Sequence, residues 1–213
     1  SPPVTLARQA SVIARSPSMT EPKPTTAAAT ILVPIANPHT VRVLLQFAFD
    51  LIDDAEGRVL ALVVTCGDLE KDSEIIDKVT PMIDKMREQG RPLELITRSS
   101  GNVPRGILDA ARDEEVDAII LGMQRPVGGR AELGSIVENV IATAPCDVLI
   151  YRTAQHTDFD RIVVPVDGTP GAKAAVRGAV QPARQRDKTI EAIYAKQTHE
   201  AHWSGLGRLT ESL

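Results

Sequence analysis

Thr30-Ile31-Leu32-Val33-Pro34-Ile35-Ala36-Asn37-Pro38 is the stretch on which the fold turns. Residues 31–36 are a short run with no charged side chain, the pattern of a strand covered on both faces. Asn37 then offers a helix cap and Pro38 a residue suited to the first turn. Val41, Leu44, Leu45, Ala48, Leu51 and Ile52 follow at the spacing of one helix face. A buried strand leading straight into an amphipathic helix is half of a βα unit, and such units call for a parallel sheet.

The same alternation continues downstream. Gly57 breaks the first helix, and Val59 to Val64 reads as a second buried strand. Ile75, Ile76, Val79, Met82, Ile83 and Met86 mark a helix that ends near Gly90. Leu93 to Thr97 alternates as a half-exposed edge strand would. Asn102 and Pro104 open a helix carrying Ile107, Leu108 and Ala111, and Val116 to Leu121 is a fourth strand. A glycine-rich loop runs from Gly122 to Gly134. Ser135 is then expected to cap a helix with Ile136, Val137, Val140 and Ile141, before a fifth strand at Asp147 to Tyr151. The pattern predicts an α/β fold, an open doubly wound five-stranded parallel sheet with helices on both faces. Ligands of such sheets sit beyond the carboxyl ends of the strands, at the switch point.

The opening stretch recurs. Arg161-Ile162-Val163-Val164-Pro165-Val166-Asp167-Gly168-Thr169-Pro170 aligns with residues 30–38. A helix with Ala172, Ala175, Val176, Ala179 and Val180 follows, then a strand from Ile190 to Tyr194. Three regions are expected: a linker or tail over 1–29, a complete domain over 30–152, and an incomplete second copy over 160–213. The first region is rich in Pro, Ser, Thr and Ala and reads as a linker or tail, with a short amphipathic helix through Val4–Ala14 as the lesser alternative.

Composition narrows the function. Of 213 residues 43% are hydrophobic and only 3% aromatic, so the core is aliphatic and base-stacking platforms for nucleic acid are disfavoured. The net charge of −4 provides no basic footprint for a polyanion. Cys66 and Cys146 form no CxxC pair, which argues against a zinc module or a disulfide framework. No apolar run is long enough to span a bilayer. The chain opens Ser1-Pro2-Pro3, which predicts a processed protein or a segment of something longer.

The chain resembles the universal stress protein family. The resemblance rests on the opening strand and its echo, on Asp117-Ala118-Ile119-Ile120-Leu121-Gly122, on Gly134-Ser135-Ile136-Val137-Glu138-Asn139-Val140, and on Ala144-Pro145-Cys146-Asp147-Val148-Leu149-Ile150. It implies an adenine nucleotide alpha hydrolase-like sheet with strand order 3-2-1-4-5, frequent tandem copies, and dimers formed through the last strand. Many members bind ATP through Gly, two residues, Gly, nine residues, Gly, then Ser or Thr. Gly122 and the Gly134-Ser135 pair match that pattern, while Arg125 stands at the second Gly and the spacing is one residue short. Ala36 stands where ATP binders usually carry Asp, which the second copy retains as Asp167.

The resemblance places Pro34, Ile35 and Ala36 along an adenine, Val63 and Val64 beside it, and Gly122, Arg125, Gly134, Ser135 and Ile136 on the phosphates, with Mg²⁺ accompanying ATP. Physics agrees with the positions: glycines let backbone approach phosphate, and a helix start aims N–H groups and positive dipole at an anion. Val148, Leu149, Ile150 and Tyr151 are the expected dimer edge, since an unpaired strand invites a twin.

Other candidates read as structural. His199 and His202 have a metal-compatible spacing but no third ligand. Asp50, Asp53, Asp54 and Glu56 read as a solvated face, and Cys146 as an inert buried thiol. No GxSxG, HExxH or Walker loop is present, so no enzyme is expected. The expectation is a cytoplasmic stress-type regulator that binds a nucleotide and acts as a homodimer. One alternative is a cytosolic regulatory domain of a membrane amino-acid or ion transporter; another is a ligand-free interaction module.

Overall fold

A computed structural model describes residues 12–14, 30–52, 57–123, 134–152, 160–166, 170–195 and 206–209. The chain divides into two compact units, Ser1–His156 and Thr157–Leu213. In the first, β1 is Val12–Ala14 and β2 is Thr30–Pro34. Asn37, extended at φ −136°, accepts from the His39 N–H at 2.9 Å, and α1 (Pro38–Leu51) starts there. Then come β3 (Arg58–Thr65), α2 (Leu69–Glu88), β4 (Leu93–Ser99), α3 (Val103–Asp113), β5 (Ala118–Met123), α4 (Ser135–Thr143) and β6 (Asp147–Arg152). Asn102 caps α3 by accepting from the Arg105 N–H at 2.9 Å.

The sheet order is β1-β6-β5-β2-β3-β4, and β2 to β6 are all parallel. Counted among the five expected strands, that order is 3-2-1-4-5. The strands are nearly all apolar because both faces are covered. Ile31, Val33, Val59, Ala61 and Val63 point to one face and pack with Leu44, Leu45 and Phe49 of α1 and Val79 and Ile83 of α2. Leu32, Leu60 and Leu62 point to the other and pack with Ile107 and Ala110 of α3 and Val137 and Val140 of α4. Helix α3 lies very close to β3: a methyl added at Gly106 would stand 2.5 Å from Val64 Cγ1.

Two findings differ from the sequence reading. Val12–Ala14 is a strand, within the region read as a linker or tail. It pairs antiparallel with β6, setting Val12 against Ile150, Ile13 against Leu149 and Ala14 against Val148. The edge of Val148, Leu149 and Ile150, expected to be open for a second copy, is therefore occupied by the same chain. The cause is the one that made it an expected dimer edge: its ladder N–H and C=O groups require partners.

In the second unit, β7 (Arg161–Val166), α5 (Pro170–Arg186) and β8 (Thr189–Ala195) repeat the β2-α1-β3 module. Strands β7 and β8 are parallel, Arg161 facing Thr189 just as Thr30 faces Arg58. A strand absent from the sequence reading, β9 (Leu206–Leu209), pairs antiparallel with β8.

Candidate functional site

Strand β2 sits between β3 and β5, and the connections from its two neighbours run over opposite faces of the sheet. This makes the carboxyl ends of β2 and β5 the switch point, where a crevice forms by topology alone. Pro34 ends β2 and Ile35 and Ala36 leave it, and Gly122 is the penultimate residue of β5. The Ile35 N–H donates to Leu62 C=O at 2.8 Å, which fixes this exit against β3.

The side chains divide into three groups. Ile35 and Val63 are buried in the layer under α1, so they support the crevice from below and only their backbone remains for a ligand. Gly122 is exposed and its missing methyl would lie 3.0 Å from Leu44 Cδ1 in the same layer. Val64 turns to the opposite layer, against Gly106. The two valines expected to flank one ligand thus face opposite sides of the sheet, as neighbours on a strand must. Ala36, Gly134, Ser135 and Ile136 are exposed. Arg125 lies outside the described residues.

Helix α4 opens one residue earlier than expected. Gly134 is its N-cap and contributes no side-chain hydrogen bond, while Ser135 is already helical. A glycine cap leaves the first-turn N–H groups without a side-chain acceptor. A methyl added at Gly134 would meet nothing within 4 Å. Asn139 Nδ2 donates back to Ser135 C=O at 2.8 Å and steadies the first turn.

Ser135 and Ile136 also line an open groove of about 700 Å³ between α3 and α4, together with Arg105, Leu108, Arg112 and Asn139. No other member of the expected set lines it. Arg105 and Arg112 both reach Asp109, at 3.6 and 3.2 Å, which leaves this helix face one positive charge in excess. The groove was missed in the sequence, although Arg105, Leu108 and Arg112 recur at the spacing of a single helix face.

Elsewhere, Asp50 corrects the expected solvated face: it is buried and accepts from Gln46 Nε2 at 3.1 Å. Asp53, Asp54, Glu56, His199 and His202 lie outside the described residues. Among the described residues no cluster of three or more His, Cys, Asp or Glu could hold a metal. Burial pushes the Cys146 thiol up to about 12, with Asp147 and Asp117 adding to the shift, so it stays protonated at neutral pH. Cys66 is exposed. No helix among the described residues is long and apolar enough to cross a membrane.

The sequence model of the Universal stress protein family matches residues 28–152 and 158–212. A Na⁺/H⁺ antiporter, NhaS5 of Synechocystis, is 27% identical over 151 residues, which is 64% of this chain but only 21% of the antiporter. A universal stress protein of Thermus aquaticus, from the QAH/OAS sulfhydrylase 3′ region, is 31% identical over 124 residues, 55% of this chain and 82% of that protein. In three dimensions the chain is similar to a functionally unknown protein, PA1789, of Pseudomonas aeruginosa PAO1, with a TM-score of 0.61 at 18% identity. The match covers 80% of this chain and 62% of that one.

Proposed function

Because the chain belongs to the universal stress protein family, we propose that its first unit is a regulatory module that binds an adenine nucleotide and signals through protein contacts rather than by catalysis. The observation that carries this reading is the start of α4. It opens on a glycine with no side-chain cap, at the far end of the loop leaving β5 at the switch point. Uncapped N–H groups and the positive end of a helix dipole favour an anion there. The phosphates would lie at Gly134, Ser135 and Gly122, with Arg125 of the intervening loop as a counter-charge. Ala36 and the backbone of Pro34 and Ile35 would border the base. Mg²⁺ would enter on the phosphates of ATP.

Titration of the chain with fluorescently labelled ATP, with and without Mg²⁺, tests this. Saturable binding, weakened by Ser135→Asp through charge repulsion at the helix start, is the expected result. Absence of saturation at millimolar nucleotide would overturn the reading.

The antiporter match favours a second reading, in which the module serves a membrane transporter. The complete gene decides it: a series of membrane-spanning segments in the same reading frame is expected, and a gene without them would remove this reading.

A further inference from the structure

Among the described residues of the first unit two large apolar side chains stand exposed, Leu69 at 82% and Ile136 at 40%. We infer that they are two halves of one contact: the start of α2 of one chain docks in the α3–α4 groove of a second copy, with Leu69 as the anchor. The inference goes beyond nucleotide binding and does not rest on it.

The helix start and the groove complement each other in polarity and in charge. Pro104, Leu108 and Ile136 give the groove an apolar lining, and Arg105 and Arg112 stand two turns apart on α3, on either side of Leu108. With Asp109 between them, the charged side chains of the lining leave one positive charge in excess. Leu69 is the first residue of α2 and lies between the exposed Asp68 and Glu70, with Asp72 in the same turn. Lys71 alone offsets these three carboxylates, so the turn carries negative charge in excess. A leucine flanked by carboxylates thus matches an apolar lining flanked by guanidinium groups, which take carboxylates in charge-assisted hydrogen bonds.

Leu69 is also held ready. Gly67, at φ +93°, turns the chain out of β3, and Asp68 caps α2 by accepting from the Lys71 N–H at 3.3 Å. An anchor fixed on a capped turn loses little freedom on docking. The groove, about 700 Å³, has room for the leucine side chain and the turn that bears it. A chain does not fill its own groove, because α2 covers one face of the sheet while α3 and α4 cover the other. The contact is therefore heterologous: each copy offers a knob on one face and a groove on the opposite one, and copies add head to tail. A patch of this size belongs with the weak, transient interfaces.

Sedimentation velocity of the full-length chain, from micromolar to millimolar concentration, tests this against Leu69→Ser, Arg105→Glu and an equimolar mixture of the two. Both positions are exposed, so neither change disturbs the core. Circular dichroism checks that both variants fold, and the milder Leu69→Ala and Arg105→Gln repeat the test. The expected result is a parent whose average mass rises past that of a dimer, and variants that each associate at least about tenfold more weakly. The mixture should form a one-to-one pair and stop there, because Arg105→Glu keeps its knob and Leu69→Ser keeps its groove. A parent that stays monomeric throughout would overturn the second copy as the occupant, leaving the groove to another acidic chain. Association that neither substitution weakens, or a mixture no more associated than either variant alone, would overturn the pairing of Leu69 with this groove.

Discussion

Strands β2 and β7 carry nearly the same sequence and live in different surroundings. Leu32 of β2 is 0% exposed, and Val163, at the matching position of β7, is 44% exposed. The residues opposite them differ more. Leu32 faces Leu60, fully buried beneath α3 and α4. Val163 faces Glu191, whose carboxylate takes the Arg161 guanidinium at 3.1 Å. The position where the first unit keeps an apolar contact holds a charge in the second. A buried carboxylate such as Glu191 requires a partner, which Arg161 supplies. Along this strand the second unit departs from the first.

Exchanging the two residues is the strongest way to break this comparison. Leu60→Glu is expected to prevent folding of the first unit, because it buries a carboxylate with no cation to receive it; the loss is several kcal/mol. Glu191→Leu should change stability by less than about 1 kcal/mol, because the arginine it leaves behind is largely solvated. Urea unfolding followed by circular dichroism reads both, and a Glu191→Leu loss as large as that of Leu60→Glu would refute the distinction. Next comes Leu32→Ala against Val163→Ala. The first should cost about 2–5 kcal/mol through transfer and cavity terms, the second within about 0.5 kcal/mol as an ordinary surface change.

Gly106→Ala sharpens the role of α3, which covers the face of the first sheet that carries Leu32 and Leu60. Its methyl would collide with Val64 Cγ1, so a loss of about 1–3 kcal/mol is expected. Val64→Ala in the same chain should recover part of it, and the double variant measured in urea checks the pairing. Among the variants of α3 the smaller effect is expected for Asn102→Ala, about 1 kcal/mol from a lost helix cap, read as a shift in the thermal midpoint.

The sequence carried the fold because its signals were local and repeated. Runs such as residues 31–36 and caps such as Asn37 and Asn102 act within a few residues, and the structure uses them where they stand. Strand β1 was illegible for the opposite reason. Val12-Ile13-Ala14 is a strand only because β6 lies beside it, and no local pattern carries a partner more than a hundred residues away. The site was legible only in outline. Gly122 stands inside the end of β5, and Gly134 and Ser135 stand at the start of α4. The opposed directions of Val63 and Val64 follow from strand alternation, which a resemblance by motif does not take into account. Asp50 was read as solvated because charge on a helix suggests water, whereas its partner Gln46 lies one turn back on the same helix.

Thr30 and Asp117 hold the starts of β2 and β5 together by two hydrogen bonds, Thr30 N–H to Asp117 Oδ2 at 2.8 Å and Asp117 N–H to Thr30 C=O at 2.9 Å. This seam lies at the middle of the sheet, yet it joins residues 87 apart in the chain, against 28 for the Thr30–Arg58 pairing of β2 with β3. Loop closure makes the nearer pairing the faster one to form. The sheet would therefore assemble as two halves, β2-β3-β4 and β5-β6, and fuse along its centre last. Asp117→Ala should then speed unfolding more than it slows folding in stopped-flow measurements, the signature of a contact made after the barrier.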